Sequence, residues 1–98
     1  MSLMLAACYS DPSMYKRVEK ALVNLMMRVK EAVDSLPRQK RRQYYDAFHS
    51  IWKEAKTLYD QLYTWGEDEE ICYDEYWARI RILEERLRRL EEHVARRY

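Results

Sequence analysis

The chain is poor in the residues that make turns. Its 98 residues include one glycine and two prolines, which leaves little material for the frequent turns of a β fold. A single glycine also excludes the Gly-rich loop that cradles phosphates in many nucleotide-binding proteins. These shortages favour long helices joined by few connections, in a single domain over residues 1–98.

Long apolar runs are missing as well. No stretch approaches the ~18 consecutive apolar residues that a membrane helix requires, so we expect no membrane partner. The apolar start of the chain lacks the basic segment of a secretory signal peptide. We therefore expect the protein in the cytoplasm, or in a virion if it is viral.

Residues that bind metals or perform catalysis are few. The two cysteines form no CxxC pair, so we expect no metal site and no cofactor. His49 and His93 fall in different predicted helices, and neither has a serine or cysteine partner nearby. We expect no catalytic residue and no small-molecule substrate, and a small all-helical enzyme is the least favoured interpretation.

What the chain does contain is a repeated apolar pattern with gaps that alternate between three and four residues. This spacing places apolar side chains on one face of a helix, here called its seam. The seam of the first segment consists of Tyr15, Val18, Leu22, Leu25, Val29, Ala32 and Leu36. The second consists of Tyr44, Phe48, Ile51, Ala55, Leu58, Leu62 and Trp65. The third consists of Tyr73, Tyr76, Ile80, Leu83, Leu87, Leu90 and Val94.

The boundaries of these segments carry signals for helix starts and ends. Pro12 follows Asp11, Pro37 separates the first two seams, and Gly66 follows the second. We predict an all-α fold, an up-down-up antiparallel three-helix bundle with long heptad-patterned helices over about 12–36, 38–65 and 69–97. A short apolar N-terminal arm over residues 1–10 precedes the first helix.

The predicted helices differ in the width of their apolar faces. Tyr45, Trp52 and Tyr59 each lie one residue past a seam position, and Tyr63 lies close to the end of this stripe. The stripe fits either the core of a wide central helix or a subunit interface, which Leu3 and Leu5 of the arm would extend. The second half of the third helix is apolar almost only at its narrow seam, which is typical of a tail that projects or pairs with another subunit.

Charge is segregated along the predicted bundle. Residues 28–46 and 84–98 share one end and hold eleven basic against seven acidic side chains, whereas the rest holds seven against ten. Cations in the first turn of a helix are disfavoured by its dipole, which suggests an anionic partner at that end. The candidate residues for anion or nucleic-acid binding are Arg38, Lys40, Arg41, Arg42, Tyr44, Tyr45, Arg89, Arg96 and Arg97. The alternative is a solvated basic cluster that keeps the protein soluble.

Two further features concern the bundle's other end and its source. The predicted topology places Cys8 and Cys72 at the same end, where they form either a disulfide or two separate thiols. Arginine outnumbers lysine twelve to six and there is one asparagine, a composition that favours a thermophilic source.

Together, these patterns predict a non-enzymatic self-assembly or protein-interaction bundle that forms a homo-oligomer. The alternative is a nucleic-acid-binding helical protein, such as a small nucleoprotein or an archaeal virion component.

Overall fold

Three long helices make up almost all of the structure, a computed structural model that describes residues 12–65 and 73–96. Helix α1 spans Pro12–Asp34, α2 spans Arg38–Trp65 and α3 spans Tyr73–Arg96. The predicted all-α fold is confirmed, and α2 has the predicted bounds, whereas α1 ends two residues before its predicted end. The predicted arm, Cys8, Cys72, Arg97 and the predicted helix start at 69 lie outside the described residues.

The helices form an up-down-up antiparallel bundle. Each helix contacts the other two, and the pair of α1 and α2 is the most extensive. An ion pair between Arg28 and Glu91 joins the second halves of α1 and α3, which places these two helices side by side in the same direction. The resulting rod measures 49 × 23 × 18 Å. None of the described helices is long and apolar enough to cross a membrane.

The core coincides with the three predicted seams. Every buried residue occupies a seam position, and no polar or charged side chain of the described residues is buried, except the tyrosines counted with the apolar core. The buried residues are Val18, Leu22, Leu25, Val29, Leu36, Tyr44, Phe48, Ile51, Ala55, Leu58, Leu62, Tyr73, Ile80, Leu83, Leu87 and Val94. Burial of one continuous apolar stripe on each helix is therefore the main force that holds the bundle together.

The second half of α3 packs within its own subunit as far as Arg96. Leu87 is fully buried and Val94 is only 5% exposed, so the expectation of a projecting or externally paired tail is wrong. The error has a simple cause, because the wide apolar faces of α1 and α2 leave a groove between them that a narrow seam on α3 can fill. The seam of α3 is consequently not available to a second subunit.

Candidate interaction surfaces

Two of the three inter-helix grooves are bordered by ion pairs. Between α1 and α3, a guanidinium nitrogen of Arg28 lies 3.4 Å from a carboxylate oxygen of Glu91. Between α2 and α3, Arg86 donates to the carboxylate of Glu54, and its second terminal nitrogen lies 3.3 Å from the hydroxyl of Ser50. All of these residues flank the seams and are partly exposed, so they border the two grooves of α3 with charged side chains that water can solvate.

The third groove, between α1 and α2, is bordered by apolar and aromatic side chains instead. Met26 and Val33 flank the seam of α1, and Tyr45, Trp52 and Tyr59 flank the seam of α2. All of them except Tyr45 are partly buried and pack against the core, whereas Tyr45 is 45% exposed. This groove therefore differs from the other two, because aromatic side chains border it and no ion pair spans it within the two described segments.

Three rings form a continuous stack along this border of α2. The centroids of the Tyr45 and His49 rings lie 5.2 Å apart with planes 13° from parallel. Those of His49 and Trp52 lie 5.7 Å apart with planes 10° from parallel. Spacings of four and three residues place successive side chains one above another on a helix, which explains the stack. His49 is not among the residues predicted for this stripe, although its spacing from Tyr45 and Trp52 could have identified it.

A groove lies beside the stacked rings and reaches across to α1. It has a volume of about 330 Å³ and is lined by Val29, Lys30, Val33, Asp34, Tyr45, His49 and Trp52. This volume is at the lower end of the range for ligand pockets, which suits one large side chain better than an extended ligand. The groove is apolar along its floor and carries one cation and one anion at its rim.

Tyr63 extends the same side of α2 towards its C-terminal end. It follows His49 by fourteen residues, which is two heptads, so the two lie on the same side of the helix. Tyr63 is 70% exposed, more than any other large hydrophobic residue among those described. We call this surface the α1–α2 face. It comprises Met26, Val33, Tyr45, His49, Trp52, Tyr59 and Tyr63.

Two large exposed apolar side chains lie elsewhere in the described segments, Met27 on α1 and Ile82 on α3. Ile82 is 60% exposed, but it borders a depression between α2 and α3 that also contains Lys53, Glu54 and Arg79. A single apolar residue among charges is an ordinary surface feature. The α1–α2 face therefore stands out among the described surfaces because several aromatic and apolar side chains flank one groove, with Lys30 and Lys56 between them.

Arg41, one of the predicted anion-binding residues, caps the end of α1. Its Nε donates to the carbonyl oxygen of Val33 at 3.2 Å, and one terminal nitrogen donates to those of Asp34 at 3.1 Å and Leu36 at 3.2 Å. Carbonyls at a helix C-terminus lack partners within the helix and carry a partial negative charge, which a cation stabilises. Arg41 is therefore explained by the fold and needs no anionic partner.

The remaining basic candidates are divided among several environments. Tyr44 is 7% exposed and its ring meets His93 edge-on at 5.9 Å, so it offers no free face to a nucleotide base. Arg89 lies 3.2 Å from the carboxylate of Glu85. The candidates that the structure brings together around one shallow depression are Arg38, Arg41, Arg42 and Tyr45, beside Asp46. Lys40 is partly buried, and Arg96 is exposed at the end of α3.

An exposed network of charges runs along α3. Arg88 donates to the carboxylate of Glu85 and, at 2.7 Å, to that of Glu92. Hydrogen bonds donated by Arg88, and to a lesser extent by Arg89, lower the pKa of Glu85 below its ordinary value. A carboxylate held ionised by two arginines at the surface is a stabilising feature of an exposed helix face.

Comparisons with known proteins add no relative to these observations. Neither the protein-family models, nor the curated proteins, nor the solved structures contain a significant match to the chain. Within residues 12–65 and 73–96, no three side chains of the histidine, cysteine, aspartate and glutamate types are grouped to hold a metal ion. The surfaces of the bundle are therefore the observations that bear on its function.

Proposed function

We propose that the chain is a non-enzymatic self-assembly module, a helical bundle that forms homo-oligomers through its α1–α2 face. The observation that carries this proposal is the difference between the groove borders. Ion pairs border both grooves of α3, whereas Met26, Val33, Tyr45, Trp52 and Tyr59 border the groove between α1 and α2.

The positions beside a seam face water in an isolated bundle, and charged residues occupy them at low cost. Tyrosine and tryptophan at these positions expose large apolar surfaces, each square ångström of which costs about 25 cal/mol in water. A second protein surface removes that cost, and the same two residue types are enriched where subunits meet. The α1–α2 face therefore supports association better than any other described surface.

Sedimentation equilibrium of the full chain tests the proposal. The subunit mass is 12.1 kDa, and we expect a mass of at least two subunits at tens of micromolar, about the range where weak oligomers assemble. Tyr45→Lys and Trp52→Lys should each weaken association at least about tenfold, because each buries a cation at the interface. The matched control is Ile82→Lys, which places the same charge on an exposed apolar site of α3 and should leave association unchanged.

Two outcomes would contradict the proposal. One is a wild-type chain that sediments as a monomer over the whole concentration range. The other is a control variant, Ile82→Lys, that weakens association as much as Trp52→Lys does while circular dichroism shows all variants equally helical.

The source and location form part of the same proposal. A thermophilic source is supported by the exposed ion network of Glu85, Arg88, Arg89 and Glu92, a device common in proteins that work at high temperature. The cytoplasm is the location that we propose, or the particle of a virus that assembles from such subunits.

A nucleic-acid-binding role is the second candidate. It is favoured by one depression in which Arg38 and Arg42 adjoin the exposed ring of Tyr45, an arrangement suited to phosphates with a stacked base. The double variant Arg38→Glu, Arg42→Glu should abolish retention on single-stranded DNA or RNA at moderate salt. Arg81→Glu, an exposed site on α3, is the control, and equal retention of the double variant and the wild type would remove the candidate.

A further inference from the structure

We propose that two copies of the chain pair antiparallel across their α1–α2 faces, with Tyr63 of each copy inserted into the groove of the other. The groove in question is the one lined by Val29, Val33, Tyr45, His49 and Trp52. This inference rests on the proposed self-assembly and adds the orientation, the register and the residue that fills the groove.

Tyr63 and the groove are complementary in shape and position. Tyr63 is a large side chain, 70% exposed, near the C-terminal end of α2. The groove lies towards the opposite end of the same helix, with His49 at its centre, fourteen residues or about 21 Å away along the axis. A two-fold axis midway between them, level with Lys56, brings each Tyr63 opposite the partner's groove. One contact formed twice in this way is the hallmark of a closed two-fold dimer.

The alternative two-fold arrangement does not bring these features together. If the two bundles paired parallel, the α2 of one copy would lie over the α1 of the other. Tyr63 would then face the first turns of the partner's α1, because α1 and α2 run in opposite directions within each copy. The groove would face the second half of the partner's α1, which carries no large exposed aromatic residue. Only the antiparallel arrangement covers Tyr63 and fills the groove.

The midpoint of the proposed interface carries a pair of opposite charges. The ammonium of Lys56 lies 2.7 Å from a carboxylate oxygen of Asp60, one helical turn further on. A two-fold axis level with Lys56 places two such pairs side by side. Each ammonium then has a carboxylate of its own chain on one side and one of the partner's chain on the other, so two carboxylates flank the two ammonium groups at the axis.

Disulfide cross-linking tests the orientation. In a background with Cys8→Ser and Cys72→Ser, we would prepare Tyr63→Cys and His49→Cys separately and oxidise them alone and mixed. The antiparallel dimer places position 63 of one copy opposite position 49 of the other, so a covalent dimer should form in the mixture and in neither variant alone. The mixed dimer keeps one intact Tyr63 in one intact groove. Tyr63→Cys mixed with Arg81→Cys on α3 is the control that should give no covalent dimer.

The outcomes separate this inference from the proposed function. A wild-type chain that associates in sedimentation while the mixture gives no covalent dimer would overturn the antiparallel register and leave self-assembly intact. A wild-type chain that never associates would overturn both. A second variant keeps the test independent of the serine background. In the native chain Tyr63→Ser should weaken association at least about tenfold and Tyr63→Phe should preserve it, whereas full association of Tyr63→Ser would overturn the inference.

Discussion

The guanidinium of Arg41, in the first turn of α2, donates a hydrogen bond of 3.1 Å to the carbonyl oxygen of Asp34, the last residue of α1. Two further hydrogen bonds from the same side chain reach the carbonyls of Val33 and Leu36. One side chain thus satisfies three backbone acceptors at the point where the chain reverses. The contact fixes the angle between the two helices whose shared face we propose as the interface.

Replacing Arg41 tests whether this cap stabilises the bundle. We expect Arg41→Ala to lower the free energy of unfolding by about 1–2 kcal/mol, because three carbonyls lose a charged donor. Arg42→Ala, at the next residue, which is also exposed, should change it by no more than about 0.5 kcal/mol. Urea unfolding followed by circular dichroism gives both values, and equal effects of the two substitutions would show that the cap contributes nothing of its own.

The packing of the second half of α3 gives a second prediction. Leu87 is fully buried, so Leu87→Ala should cost about 2–5 kcal/mol of unfolding free energy through lost burial and the cavity left behind. Ile82→Ala, on the exposed side of the same helix, should stay within about 0.5 kcal/mol. If Leu87→Ala were as mild as Ile82→Ala, α3 would not be packed against α1 and α2 as described.

The fold could be predicted from the sequence because the burial of three apolar seams determines it. Each seam is unbroken and holds no charged residue, so burial of the three stripes against one another leaves little freedom in topology or register. Even Leu36 is buried as predicted, although it lies in the connection after α1 rather than in the helix. Local spacing therefore identified the core more reliably than it identified the helix ends.

The chemistry of the surface could be predicted only in part. The stripe of Tyr45, Trp52 and Tyr59 follows from heptad spacing, and the structure places it along a groove. The role of Arg41 could not be predicted, because the acceptors that it binds belong to another helix and are defined only by the geometry of the connection. For the same reason Tyr44 was expected to be available for stacking, whereas in the bundle it is covered and meets His93.

A third prediction concerns the charges at the proposed dimer axis. Lys56→Glu should weaken association at least about tenfold, because the axis would gather two glutamates beside two copies of Asp60. The double exchange Lys56→Asp, Asp60→Lys restores two cations and two anions at the axis and should recover most of the association. Sedimentation equilibrium measures both, and a double variant as weak as the single one would mean that the axis lies elsewhere.

A fourth prediction follows from the lowered pKa of Glu85. Because this pKa is lower in the folded protein than in the unfolded chain, the ionised carboxylate adds stability above the ordinary glutamate pKa of about 4.3. That contribution is lost as the pH falls through the folded pKa. Glu85→Gln should therefore lower the melting temperature slightly at neutral pH and low salt, and the difference should vanish in strong acid.

The matched control for this prediction is Glu84→Gln. Glu84 forms no ion pair with any other residue in the two described segments, so its replacement should leave the melting temperature nearly unchanged. Salt near 1 M should also remove most of the effect of Glu85→Gln, since exposed charges are screened. An effect of Glu85→Gln that persisted in acid and high salt would point to a cause other than its ion pairs with Arg88 and Arg89.

The proposed self-assembly requires above all that a second copy covers the α1–α2 face. Backbone amide NMR spectra of the isotope-labelled chain measure this directly. Between about 10 and about 300 µM, a range that brackets a weak dimer, we predict concentration-dependent shifts for residues such as Val33, His49 and Tyr63. Residues beside the Glu54–Arg86 ion pair should not shift. Spectra that are identical at all concentrations, or shifts confined to α3, would contradict the account.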